Sequence, residues 1–517
     1  MISTKEVFDK LCIFRKESTF KAEEDIFRTI HALDEQFINN KDYEQNINGV
    51  IVNIGTDRKS ITLLHHAIKR LKALRDKIDP DKYFFNIGNA YLSIMDISQG
   101  QNPKIVNLIK NEDYKEARKY FYQSNLPSAA TNAANILELY HRNYEAILLY
   151  DKALKANSKF GMALGNKGIA LAFYYNLAKK KNPGILLEAR DLLKRALNEE
   201  NTFEIGGAKA VSTFQQYINS LEDFILKHKI KYKPKLPSIK PDPYLHFSSK
   251  RNAFLNFCYN CYNCEKGFID DFFPPFIESI KKTSFEEKFA FHSFSKKIYF
   301  SIKTLNQIIE DYATARYIYF QAKSDKLELL DLFSVYLSTL DYCRNSIKYG
   351  YLKTAFVKLY NIFDKIAHVL FHYYEIEQNE IYFSSLLNSS FVNLIISTNN
   401  RSLLALNNLA WDFEKNGIYY HLKQIRHLLT HDFIDIKEDM YDTNETINSI
   451  FEHHHLTRKL LCTYLDELII LVKAGIMYFV QALESEIKKI KKESGVKLLK
   501  VDVMTQDYIF GKNNTDD

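Results

Sequence analysis

Four of the chain's ten prolines, Pro234, Pro237, Pro241 and Pro243, crowd into one stretch, KPKLPSIKPDP. Each proline ring removes an amide donor and clashes with the preceding helical turn, so no helix can pass through this stretch. Elsewhere breakers are rare, with only 16 glycines in 517 residues, and the abundance of Leu, Lys, Ile, Glu and Ala favours long helices. The chain is therefore expected to be all-α, as two helical blocks joined by an extended, semi-rigid connection. The expected divisions are a helical-repeat block over 1–228, a Pro/Lys-rich linker over 229–247, a second helical block over 248–495 and a tail over 496–517.

The remaining composition narrows the class of protein. An apolar share of 46% and a charged share of 26% are those of an ordinary globular chain. The 34 tyrosines and 37 phenylalanines are expected to fill helical interfaces. A net charge of +7 says little about nucleic acid over this length. Local lysine clusters at 229–250 and 488–500 read as a solvated linker and a solvated helix end, with phosphate binding as the alternative. The N-terminus MISTKEVFDKLC has no apolar signal region, and the cysteines form no paired secretory framework. The most apolar run, Leu468 to Leu483, is broken by Lys473 and Gln481 and reads as a buried core helix, not a membrane span. A cytoplasmic protein with free thiols and no membrane partner is expected.

The first block repeats itself. NYEAILLYDKALKANSKF puts Ala146, Tyr150 and Ala153 at relative positions 0, 4 and 7. Ala117 and Phe121 upstream, and Ala189, Leu193 and Ala196 downstream, fall at the same offsets. A small residue lets two helices approach closely, and the large one a turn later fills the groove beside it. These residues resemble tetratricopeptide repeats over about residues 60 to 200, most closely at 143–171. The resemblance implies a stacked α-solenoid whose concave face takes a protein or peptide partner. Asn132, Asn135, Asn166 and Lys167 fall near that face, with a solvated helix surface as the alternative.

After the linker comes CYNCYNC, with Cys258, Cys261 and Cys264. Thiolates at this spacing can share a metal, yet no nearby cysteine supplies a fourth ligand. On a helix the three would instead share one face as small hydrophobes. They are weak metal candidates, and no cofactor is expected, since no phosphate-binding glycine loop is visible.

The second block is expected to be helical over 301–322, 327–348, 352–375, 417–434 and 456–492. Within it lies HLKQIRHLLTHDFI. Ile425, Leu428, Leu429 and Phe433 make an apolar stripe, which leaves His427 and His431 on a common flank with Arg426 beside them. An imidazole can take and return protons near neutral pH, and a guanidinium can hold phosphate oxygens as their charge grows. That set suits RNA cleavage, in which a 2′-hydroxyl loses a proton and the leaving 5′-oxygen gains one. One helix offers one such set, so two copies facing each other in a homodimer would complete the apparatus. A rival use is metal binding by His427 and His431 at i,i+4 spacing, although no Glu stands beside His427 as a metallohydrolase requires.

Arg426, the four residues HLLT and His431 match the Arg-x4-His pattern of HEPN ribonucleases, with His427 at the polar second position. Phe433 stands where some branches carry a tyrosine. Together with LNQIIEDYATARYIYFQA and LYNIFDKIAHVL ahead of it, this order resembles the LA2681-like HEPN branch over roughly 248–490. The resemblance implies a HEPN helical bundle and a metal-independent endoribonuclease acting on RNA, with Arg426 and His431 catalytic. It implies supporting polar residues from an earlier helix, for which Asp364 and Lys365 are the candidates. The pairing with repeats implies a toxin or antiviral-defence effector controlled through its first block. The alternative is a non-catalytic scaffold whose HEPN-like bundle binds RNA or dimerises.

Overall fold

The computed structural model describes residues 4–100, 103–177, 183–230, 293–323, 336–337, 344–437 and 455–494. The CYNCYNC cysteines, nearly all of the expected linker and the 496–517 tail lie outside them. The described chain is all-α apart from two very short strand pairs. It divides into two compact units, 1–171 with 188–227, and 172–187 with 228–517.

The first unit is built of helices α1 (Thr4–Ser18), α2 (Glu23–Gln36), α3 (Lys41–Asp57), α4 (Ile61–Ala73), α5 (Pro80–Gln99), α6 (Ile105–Lys110), α7 (Asp113–Tyr122), α8 (Pro127–Leu139), α9 (Asn143–Ala156), the first part of α10 (Gly161–Leu177), the last part of α11 (Pro183–Asn198) and α12 (Glu200–Lys227). Helices pack chiefly on their chain neighbours, α3 on α4, α4 on α5, α5 on α7 and α8 on α9, as in a solenoid. The small–large–small residues lie where close approach demands them: Ala146, Tyr150, Ala153, Ala189, Leu193 and Ala196 are all buried. Gly88 shows the same constraint, because a Cβ there would stand 2.6 Å from the Phe121 ring. Thus α5 and α7 touch backbone to ring, which only glycine permits.

The polar residues expected on the concave face are largely engaged within the chain. Asn132 donates to Asn89 Oδ1 at 2.8 Å and Asn166 to Asn135 Oδ1 at 2.9 Å. The Tyr150 hydroxyl lies 2.7 Å from both Asn135 Oδ1 and Glu138 Oε2. Lys167 pairs with Asp151 at 2.7 Å and with Glu188 at 3.7 Å.

The second unit carries α13 (Ser293–Ala322), α14 (Ile347–Tyr373), a 3-10 turn (Phe383–Leu387), α15 (Ser389–Thr398), α16 (Arg401–Asp412), α17 (Tyr420–His431) and α18 (Arg458–Ser494). Helices α13 and α14 form a long pair, and α18 packs on α14 and α16. The apolar run expected as a core helix is the middle of α18, where Leu468, Ile469, Val472, Ile476, Phe479 and Val480 are all buried. Apolar residues on every side of a helix require such a central position. No helix among the described residues is long and apolar enough to cross a membrane.

One expectation for this unit needs correction. The helix expected over 327–348 is absent where the chain is described: β1 (Tyr336–Leu337) pairs antiparallel with β2 (Arg344–Asn345), and α14 starts only at Ile347. A short apolar run satisfies strand and helix spacing alike, so periodicity could not separate them. The second strand pair, β3 (Asp435–Lys437) with β4 (His455–Thr457), is parallel and places the half-buried His455 ring Nε2 2.6 Å from Lys437 Nζ. His453 and His454 lie outside the described residues.

Candidate active site

Helix α17 brings the Arg-x4-His segment to one side of α14. Leu422, Ile425 and Leu428 are its buried face, but Phe433 is 62% exposed, past the helix end, and does not join the stripe. The reason is local: α17 stops at His431, Asp432 turns extended, and its Oδ1 accepts the Phe433 amide at 2.9 Å.

The approach of α17 to α14 is set by a tight connection from α16. Gly417 donates to Glu414 O at 2.6 Å and Tyr419 to Asp412 O at 2.7 Å. A Cβ on Gly417 would lie 2.2 Å from Asp412 O, so this turn accepts no larger residue unchanged. Aromatic rings then hold the connection to the core: Phe413 lies 5.5 Å from Tyr360, 5.0 Å from Phe363 and 5.9 Å from Tyr419. Part of the chain's aromatic surplus thus rigidifies the site's scaffold.

Arg426 reaches from α17 into a polar recess on α14. Its guanidinium stands over the Tyr360 ring, with Cζ 5.8 Å from the centroid. Nη2 lies 3.5 Å from Asn361 Oδ1 and 3.7 Å from Asp364 Oδ2, and the side chain is only 23% exposed. Its Nε is buried and has no hydrogen-bond partner among the described residues. Asp364 is held in turn by the Phe383 amide, which donates to Oδ1 at 2.8 Å. Burial pushes the Asp364 carboxyl above its ordinary range, against the opposing pull of that amide, Arg426, His368 and Lys423. Burial likewise raises the Tyr360 phenol, with the Asp364 charge adding to the effect. Lys423, one turn before Arg426, pairs with Glu414 at 2.7 Å.

His427 and His431 are both exposed, with ring centroids 5.2 Å apart and planes at 45°. The geometry therefore splits the expected set. The two imidazoles meet each other as i,i+4 neighbours, whereas the Arg426 guanidinium is drawn back onto α14. Five residues along a helix turn the direction of a side chain by about 140°, which is why Arg426 and His431 face different ways. No cluster of three or more His, Cys, Asp or Glu suited to a metal forms among the described residues.

Of the two supporting candidates, Asp364 stands at Arg426 and Lys365 does not. Lys365 binds Asp311 of α13, which also takes Lys358 at 2.6 Å, and the two lysines hold the Asp311 carboxyl below its ordinary range against the cost of burial. One residue along a helix turns the side chain by about 100°, enough to send neighbours to different partners. Tyr360 and Asn361 were missed. Their spacing from Asp364, four and three residues, puts all three on one face of α14, but only the packing of α17 makes that face a site.

An all-α bundle in which a guanidinium and two imidazoles end a short helix, backed by a carboxylate from a long one, defines the class to which comparison points. Residues 293–486 match the family of LA2681-like HEPN domains. That match includes Arg426, His427, His431, Asp364 and Lys365 and does not extend to the N-terminal repeats. HEPN domains are associated with ribonuclease or nucleotide-related activity. No curated protein and no solved structure matches the chain.

Proposed function

We propose that this protein is a metal-independent HEPN endoribonuclease with Arg426 and His431 as catalytic residues. The observation that carries the reading is the Arg426 recess. A guanidinium is held by Asn361 and Asp364 with one buried N–H unpartnered, and exposed imidazoles sit on the same short helix. A guanidinium held in place yet partly open to solvent is suited to the extra charge of a phosphorane-like transition state. The imidazole of His431 handles the protons: it removes one from the ribose 2′-hydroxyl, whose oxygen attacks phosphorus, or delivers one to the 5′-oxygen as the P–O5′ bond breaks. The products are a 2′,3′-cyclic phosphate and a 5′-hydroxyl, and the atoms balance without an added oxidant or nucleophile.

His431 faces away from the guanidinium of its own chain. A second copy that brings its own α17 opposite would offer a base and an acid to one phosphate, so a homodimer through the HEPN domain belongs to this reading. His427 orients His431 or shares its proton. Control through the repeat unit, by a protein or peptide partner, and a role as a toxin or antiviral-defence effector extend the same reading.

Incubation of the full chain with total RNA and with tRNA in EDTA, followed by end-group analysis, tests it. Cleavage leaving cyclic phosphate ends is expected, and Arg426→Ala or His431→Ala should each lower the rate by at least about 100-fold, as expected for loss of a principal catalytic group. Undiminished cutting by both variants overturns the assignment.

A further inference from the structure

Next to the Arg426 recess lies an open polar groove lined by Gln378, Asn379, Tyr382, Ser384, Asn388 and Glu414, among others. It adjoins the candidate site at two points. Phe383, between Tyr382 and Ser384, gives its amide to Asp364, and Glu414 holds Lys423 one turn ahead of Arg426. Tyr382 is 50% exposed, and its hydroxyl donates to Glu380 at 3.2 Å, which steadies the ring without covering it. The Gln378 amide group spends its donors on Ser385 Oγ and Glu380 O, and its carbonyl takes the Asn388 amide at 2.7 Å. This arrangement leaves the Asn388 carbonyl and the Glu414 carboxylate as acceptors on the groove wall. The groove thus joins a fixed, half-exposed aromatic ring to acceptor-rich polar walls, immediately beside a guanidinium suited to phosphate.

We propose that this groove binds a nucleobase of single-stranded RNA next to the phosphate held by Arg426. The base stacks on Tyr382 and presents an exocyclic amine to Asn388 and Glu414. Every base has a face to stack, but only adenine, cytosine and guanine carry an exocyclic amine. The Glu380 carboxylate at the rim disfavours a phosphate backbone there, while Glu414 is balanced by Lys423, so the groove is assigned to the base and the backbone to Arg426. A duplex could not enter, because its bases are stacked on each other and their edges paired. The inference rests on the ribonuclease reading for the identity of the ligand and adds the substrate class: unpaired RNA with an amine-bearing base beside the cut.

The test uses the full chain, fluorescently labelled single-stranded RNA decamers of A, C or U, and two readouts, anisotropy for binding and gel analysis for cutting. The expected result is that oligo-A and oligo-C bind more tightly than oligo-U. Tyr382→Ala should weaken oligo-A binding about tenfold, within the range of one base–aromatic stack, while Tyr382→Phe stays within about twofold because the stacking ring remains. Loss of the Tyr382 ring leaves the local fold intact, since the 3-10 turn is capped through backbone atoms and Ser385 Oγ. Equal affinity of the wild type and Tyr382→Ala, or no preference against oligo-U, overturns the groove assignment and leaves the ribonuclease reading standing. Binding with the expected pattern but without any cutting overturns the ribonuclease reading and leaves the groove. Absence of RNA binding overturns both.

Discussion

Asp364→Asn separates the stability of this fold from its chemistry. At 3.7 Å, the Asp364–Arg426 pair has a Coulomb attraction of about 4.5 kcal/mol at an effective dielectric constant of 20. Burial opposes it, and the raised Asp364 carboxyl shows that burial wins. The sign follows from linkage. A carboxyl whose pKa is raised on folding favours the fold most when protonated, and that contribution is lost as pH rises through the folded-state pKa. Above the ordinary carboxylate range the Asp364 carboxyl therefore costs stability relative to a neutral group, and asparagine, of nearly the same shape, removes the cost while its oxygen still accepts the Phe383 amide. The melting temperature of Asp364→Asn should match or exceed that of the wild type at pH 7, with the gap shrinking toward pH 4.

The rate should move the other way. Arg426 would keep only the long contact to Asn361 and would lose the charge that draws it onto α14. The contact is an ion pair too long for a hydrogen bond, and such pairs are worth up to about 1 kcal/mol, so cleavage should fall by about two- to fivefold. Calorimetry across pH and single-turnover cleavage of a labelled RNA measure the two effects. A melting temperature lowered by more than about 4 °C, equivalent to about 1 to 2 kcal/mol in a cooperative unit of about 200 residues, would refute the electrostatic argument. An unchanged rate would refute the orienting role of Asp364.

Three further substitutions test the scaffold. Glu138 is half-buried against Tyr150, and desolvation pushes its carboxyl up to about 7; its stabilising contribution is present below the ordinary carboxylate range and lost as pH rises through about 7. Glu138→Gln should therefore raise the melting temperature at pH 8 and flatten its decline between pH 5 and 8, as followed by circular dichroism. Gly417→Ala should lower stability by at least about 1 to 3 kcal/mol in urea titration, because the new Cβ meets the Asp412 carbonyl, a backbone atom that cannot swing aside. It should slow RNA cleavage as well, since the displaced turn carries α17. Glu145→Ala removes the carboxylate bonded to Arg142, which is fully buried. A loss of about 1.5 to 3 kcal/mol is expected in denaturant unfolding, the usual worth of a hydrogen bond to a charged group.

Much of this architecture is written in local sequence. Helix content follows from the scarcity of breakers, and the repeat residues Ala146, Tyr150 and Ala153 announce their own burial because helical packing is periodic. Arg426, His427 and His431 stand out in the sequence because their types and spacing suit phosphate chemistry. The strand pair at 336–345 was not, since too few residues are involved for any period to show. Phe433 was misjudged for a related reason: its spacing fits the apolar stripe only if α17 continues, and Asp432 ends it.

The sequence by itself determined that a short helix would carry a guanidinium and two imidazoles on an all-α scaffold. Only the tertiary structure decided how they are used. Packing of α17 on α14 turned Asp364 toward Arg426 and left Lys365 to Asp311, although the two stand side by side in the chain. It also recruited Tyr360 and Asn361 to Arg426. Neighbouring residues on a helix point about 100° apart, so which of them meets a distant helix is fixed by docking geometry, and that is not a property of any local stretch of sequence.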